Sequence, residues 1–119
     1  MIEPPMLTVV VFGASGDLAR RKTFPALFSL FRRGLLHQHA EDFKIIGYAR
    51  SHLSLPDFHA KLKEFLNRYV GDKPEELETF LKHCEYQQGD YDSDKDFSAL
   101  EKRIESFEGT GAAGEIRIF

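Results

Sequence analysis

At 119 residues with 42% hydrophobic content, the chain has material for one core and a single domain. Its formal charge of −3 excludes a nucleic-acid backbone or an anionic membrane as the main partner, since either asks for a basic face. Cys84 is the only cysteine, which excludes an intrachain disulfide, and the opening apolar run of about seven residues has no basic leader and is well short of the roughly 18 of a membrane helix, so a cytoplasmic location is expected.

The run Leu7-Thr8-Val9-Val10-Val11-Phe12 is β-branched and apolar and predicts a buried strand. It breaks into Gly13-Ala14-Ser15-Gly16, where Gly13 permits a tight turn and Gly16 lets the backbone approach a ligand closely. A helix then opens at Asp17-Leu18-Ala19-Arg20-Arg21-Lys22, and its first N–H groups and dipole ask for an anion, most simply a pyrophosphate. Phe24, Leu27, Phe28 and Phe31 share one helical face, and Gly34 ends the helix. Pro25 inside this stretch predicts a kink, or a short first turn followed by a fresh helix.

Phe43 to Arg50 reads as the second strand, at a distance that suits a right-handed β-helix-β crossover with parallel strands. Ser54 caps a helix with Pro56 in its first turn, a stripe at Phe58, Leu62, Phe65, Leu66 and Tyr69, and Gly71 as its stop. Pro74 opens a short helix burying Leu77, Phe80 and Leu81; a polar strand runs around Glu85 to Gln88. Asp92-Ser93-Asp94 caps a last helix with the stripe Phe97, Leu100, Ile104 and Phe107, and a Gly-rich connector from Glu108 to Gly114 leads into a strand at Glu115. This alternation predicts an α/β fold, a Rossmann-like parallel sheet with helices on both faces, incomplete at about four strands.

A glycine turn of this kind also serves plain chain reversal, but strand, turn, helix and second strand together are the context in which it binds a dinucleotide. Where an NAD-binding domain usually presents an acid at the end of the second strand, this chain reads Tyr48-Ala49-Arg50-Ser51. Arg50 favours a 2′-phosphate and hence NADP, because a guanidinium offers a fork of donors that an acid there would repel. Ser15, beside that tip, can donate its hydroxyl to the same group; the plainer readings are a solvated Arg50 and a capping Ser15. Asp17 is expected to present its backbone N–H while its side chain braces the turn. Arg20, Arg21 and Lys22 spread around the helix, so one or two of them at most can face the cleft.

The sequence Gly13 to Pro25, with Gly34-Leu35-Leu36, Gly47-Tyr48-Ala49-Arg50, Gln88-Gly89-Asp90-Tyr91-Asp92 and Ile116 to Phe119, resembles the amino-terminal part of the glucose-6-phosphate dehydrogenases. The resemblance implies NADP-dependent oxidation of glucose 6-phosphate to the 6-phosphogluconolactone, in the pentose phosphate pathway, by a parent enzyme that is a homo-oligomer. It implies that Gly13, Ala14, Ser15, Gly16, Asp17, Leu18, Ala19 and Arg20 form the phosphate loop, that Ser15 and Arg50 hold the 2′-phosphate, and that Lys22 lies near substrate and nicotinamide. Residues 1–119 then form a partial dinucleotide-binding domain without the substrate domain, ending before the family's catalytic histidine. No catalytic base is assigned: His37, His39, His52, His59 and His83 match nothing in that motif, read as surface or loop residues, and have no metal-type spacing. Such a chain alone is expected to be catalytically silent.

Two other readings compete. An extended short-chain dehydrogenase shares Gly13, Gly16 and Ala19, but its Tyr-x-x-x-Lys catalytic pair is expected to be absent here, and the basic cluster through Lys22 and the Arg50 tip decide against it. A non-catalytic NADP-sensing module is the alternative from another class.

Overall fold

Four strands, β1 (Met6–Phe12), β2 (Asp42–Ala49), β3 (Cys84–Gln88) and β4 (Glu115–Ile118), make one sheet in the order β3-β2-β1-β4 with every pairing parallel. The structure, a computed structural model, describes residues 6–36, 42–108 and 115–118. The connector at 109–114, Phe119, His37 and His39 lie outside these residues, and the side chain of Phe107 is likewise not described. The order reverses at β1, with β2 and β3 on one side and β4 on the other, so a topological switch point lies at its carboxyl end. Phe12 pairs with Tyr48 and Ala49 with Gln88, which brings the loops leaving β1, β2 and β3 to the same sheet edge.

The two-residue period of the strands divides the core. Val9 and Val11 of β1, Phe43, Ile45 and Ala49 of β2, and Cys84 and Tyr86 of β3 face α1 (Phe24–Arg32), α2 (Leu55–Leu66) and α3 (Pro74–Lys82). Val10, Ile46 and Tyr48 face the other way, onto Leu100 and Ile104 of α4 (Asp94–Glu108). The expected coverage of both faces is therefore present. Helical faces match their stripes: Phe24, Leu27 and Phe28 of α1 are buried, as are Leu77, Phe80 and Leu81 of α3. Each such side chain contributes about 1.5–3 kcal/mol by leaving water.

Local signals act at the helix ends. Ser54 Oγ accepts the Asp57 N–H at 3.2 Å, and Ser93 Oγ accepts the Asp96 N–H at 3.2 Å. At the end of α1 the Gly34 N–H bonds Phe31 O and the Leu35 N–H bonds Leu30 O, the paired closure that satisfies the last carbonyls. Pro25 is accommodated upstream without a fresh helix: Ala19–Thr23 form a π-helical turn in which the Phe24 N–H reaches Ala19 O, and the helical backbone runs on through Thr23 into α1 with Pro25 in its first turn.

Tyr69 departs from its predicted stripe and is 44% exposed. The helix α2 stops at Leu66 and the chain tightens into a 3₁₀ turn over Asn67–Tyr69, which changes the angular spacing and swings the ring outward. The polar strand β3 holds because its two faces find different partners. Cys84 and Tyr86 enter the core, while Arg103 of α4 donates to Tyr86 O (2.7 Å), Gln87 Oε1 (2.9 Å) and Glu85 Oε2 (3.0 Å).

Candidate functional site

The turn after β1 is closed by hydrogen bonds from three of its own backbone N–H groups. Gly13 sits at φ 67°, a region open to glycine, and its N–H donates to the Tyr91 hydroxyl at 2.7 Å. The Ala14 N–H donates to Tyr48 O at 3.2 Å and the Gly16 N–H to Gly13 O at 2.9 Å. Space is as tight as the bonding: a Cβ on Gly16 would lie 3.3 Å from Gly13 O, and one on Gly47 of β2 would lie 2.8 Å from Ala14 Cβ and from Phe58 Cζ. The helix that follows opens at residues 17–18, and the N–H groups of its first turn have no acceptor within the helix. Those donors and the dipole behind them face the switch point.

The loop after β2 supplies side chains. Ser15 Oγ and Ser51 Oγ are 3.2 Å apart, joining the two loops, and the Arg50 guanidinium lies 6.0 Å from the Tyr91 ring centre. The backbone carrying Arg50 is pinned: Gln88 Nε2 donates to Arg50 O at 3.1 Å and the Tyr86 hydroxyl to Ser51 O at 2.5 Å. Arg50 itself is exposed. Beneath the loop, burial pushes the phenols of Tyr48 and Tyr86 above their ordinary range, with Asp96 and Asp90 adding to the effect at Tyr48.

The remaining predicted site residues divide between ligand side and fold. Ala19 is buried, whereas Leu18 is 73% exposed and Asp17 is also exposed. Arg20 turns onto α2, its guanidinium 3.8 Å from the Phe65 ring centre and 3.7 Å from Asp17 Oδ1, with Nε buried and unpartnered. Arg20, Arg21 and Lys22 line a recess of about 410 Å³ with Phe65, Arg68 and Tyr69, and both Arg21 and Lys22 are exposed. Of the histidines expected on the surface or in loops, His83 lies in the connection between α3 and β3, whereas His59 is half-buried on α2. His59 Nε2 donates to Cys84 O and His83 Nδ1 to Phe43 O, each at 2.8 Å, and the His83 ring stacks on Phe43 at 4.0 Å. Both satisfy strand-end carbonyls, a role that spacing in the sequence does not reveal.

The Tyr-x-x-x-Lys spacing does occur, contrary to expectation, at Tyr69 with Lys73 and at Tyr91 with Lys95. Neither pair lies within one helix, so the i, i+4 spacing does not align the side chains. Sequence reasoning left Ser51 and Tyr91 without a role. The usable signal was positional, since both follow a strand whose carboxyl end lies beside the glycine turn.

A parallel sheet with a glycine turn at its switch point and a cationic tip on the neighbouring strand defines a Rossmann-like dinucleotide-binding unit. The family described as "Glucose-6-phosphate dehydrogenase, NAD binding domain" matches residues 10–119, and the chain belongs to this family. It is 48% identical over 101 residues to the glucose-6-phosphate 1-dehydrogenase of Kluyveromyces lactis, covering 84% of this chain and 20% of that protein. It is 42% identical over 104 residues to the cytoplasmic glucose-6-phosphate 1-dehydrogenase 5 of Arabidopsis thaliana, covering 86% and 20%. A solved glucose-6-phosphate dehydrogenase in complex with its substrate glucose-6-phosphate superposes with a TM-score of 0.81 at 39% identity, covering 99% of this chain and 25% of that one. The chain thus spans about a fifth of the length of these curated relatives.

Proposed function

We propose that this chain is the NADP-binding, amino-terminal part of a cytoplasmic glucose-6-phosphate 1-dehydrogenase, whose whole protein oxidises glucose 6-phosphate to the lactone. One observation carries the choice of NADP: the tip of β2 carries Arg50 and Ser51 with no acid at positions 48–51, and the Ser51 hydroxyl meets Ser15 of the glycine turn at 3.2 Å. That donor set suits a phosphate ester. The residues also fit the rest of the dinucleotide, because the turn is compact and the first helical N–H groups have no acceptor in the helix.

NADP, when bound, supplies the acceptor for the hydride leaving the sugar. The chain's own residues bind and orient. Since Gly13, Ala14 and Gly16 spend their N–H groups on closing the turn, the pyrophosphate falls to the donors of Ser15, Asp17 and Leu18. Gly13, Ala14, Gly16 and Ala19 then shape the loop, Leu18 offers apolar contact, and Arg20 steadies Asp17. Lys22, exposed on the π-helical turn, is the residue assigned to the substrate side, by resemblance. None of the five histidines matches the family's catalytic motif, so no base is assigned and the chain by itself is expected to be silent; His59 and His83 each place one ring nitrogen on a backbone carbonyl. The family resemblance extends to a homo-oligomeric parent.

Calorimetric titration with NADP and with NAD tests the reading. Arg50→Ala is expected to weaken NADP by roughly 2 kcal/mol while sparing NAD, the usual size of a lost charge-assisted contact. Equal loss for both cofactors overturns the assignment of the 2′-phosphate.

A further inference from the structure

We infer that Tyr91 is a positioning residue for the cofactor, its hydroxyl holding the turn after β1 in shape and its ring carrying Arg50. The inference rests on the function proposed above and names a residue for which that function gives no role.

A phenol has one proton to donate and lone pairs to accept. The Tyr91 hydroxyl uses both: it accepts the Gly13 N–H at 2.7 Å and donates to Tyr48 O at 3.3 Å. Tyr48 O also takes the Ala14 N–H at 3.2 Å, so the turn, the end of β2 and the loop before α4 meet at one junction. The loop that brings Tyr91 there is itself fixed. The Gly89 N–H bonds Ala49 O at 2.9 Å, the Tyr48 hydroxyl bonds Asp90 O at 2.7 Å, and the Asp90 N–H bonds Asp96 Oδ2 at 2.8 Å.

The ring is held on one side by Phe12 and Tyr48, with centres 6.0 and 5.7 Å away, and Arg50 approaches it at 6.0 Å. A guanidinium at that range is attracted to an aromatic face, which narrows the positions that an otherwise exposed Arg50 samples. The turn therefore has its left-handed residue satisfied before any ligand arrives, and the discriminating cation has a platform. Both reduce the ordering cost of binding.

The test uses Tyr91→Phe and Tyr91→Leu in the full chain, titrated with NADP and NAD, together with amide exchange at Gly13 in the ligand-free protein. Tyr91→Phe keeps the ring, and circular dichroism verifies folding before titration. It is expected to speed exchange at Gly13 and weaken both cofactors about threefold to tenfold, with the NADP preference kept. Tyr91→Leu is expected to add a fall in that preference of about threefold or more, after which Arg50→Ala changes it little further.

Tighter or unchanged binding in Tyr91→Phe overturns the inference, since the hydroxyl then merely occupies a donor that the phosphate would take. An unchanged preference in Tyr91→Leu overturns the role of the ring. If the wild-type chain binds neither cofactor, the proposed function fails at this chain. A Gly13 amide that then still loses protection in Tyr91→Phe makes the junction a folding device and overturns the positioning role.

Discussion

In the proposed site the turn after β1 works through backbone N–H donors, and the loop after β2 through side chains. Gly13, Ala14 and Gly16 are bonded to groups of the protein itself, and the buried Ala14 fills the space that Gly47 leaves open. Arg50 is exposed; its backbone neighbourhood is pinned and its guanidinium lies 6.0 Å from the Tyr91 ring centre. A closed backbone presents the same donors to any dinucleotide, so it sets strength of binding without regard to the 2′ position. An open cation on a fixed base discriminates, because its contact exists only when the extra phosphate does. The proposed function thus assigns strength and selectivity to two adjacent loops through different chemistry.

The largest way to break this division is Gly16→Val. A Cβ at that position already presses on Gly13 O at 3.3 Å, and a branched side chain forces the turn open and fills the approach to the helix. NADP and NAD are both expected to weaken on the order of 100-fold, about 2.7 kcal/mol, in parallel titrations. Unchanged NADP affinity would remove the phosphate-loop reading. The contrast is Arg50→Ala, smaller in total and confined to NADP.

How much of this was legible in the sequence follows the same line. Strand β1, the turn and the capped helix α2 are written in local preferences: β-branched residues, a glycine pair, and Ser54 ahead of Pro56. The tip at Arg50 was legible through its departure from an acid. The polar strand β3 gave little local signal, because what completes it is Arg103 from a later helix. Tyr91 and Ser51 carry only a positional signal, the end of a strand, because the partners that single them out lie 78 and 36 residues away. Tertiary contact, which no window of the sequence contains, assigned the structural histidines too.

A separate effect, which grows with pH, comes from alkali, which acts on buried groups of β2 and β3. Burial holds the Cys84 thiol far above its ordinary range, and the Tyr48 and Tyr86 phenols are raised as well. In the unfolded chain these groups release their protons at ordinary values, about 8.5 for Cys and about 10 for Tyr. The folded state keeps the protons, so above those values the unfolded state binds fewer and stability falls as pH rises. Below them the contribution is fully present. For Cys84 the slope approaches about 1.4 kcal/mol per pH unit, and the two phenols add to it in the same direction. Urea melts from pH 7 to 11 should show the fall beginning near pH 9, and Cys84→Ala should remove its first part; a flat profile would contradict the burial of these groups.

The smallest effect sharpens the boundary between the loops. Ser15 and Ser51 share one hydrogen bond at 3.2 Å, and either hydroxyl can be the donor. If the pair serves the 2′-phosphate, Ser15→Ala and Ser51→Ala each weaken NADP by about 0.5–1 kcal/mol and leave NAD unchanged. The double variant should then lose less than the sum, since the two hydroxyls act on one group and orient each other. If the pair only ties the loops together, the losses fall equally on both cofactors and appear also in thermal stability. A double-mutant cycle read with both cofactors therefore decides whether Ser15, which belongs to the turn by sequence, belongs by function to the selective side of the site.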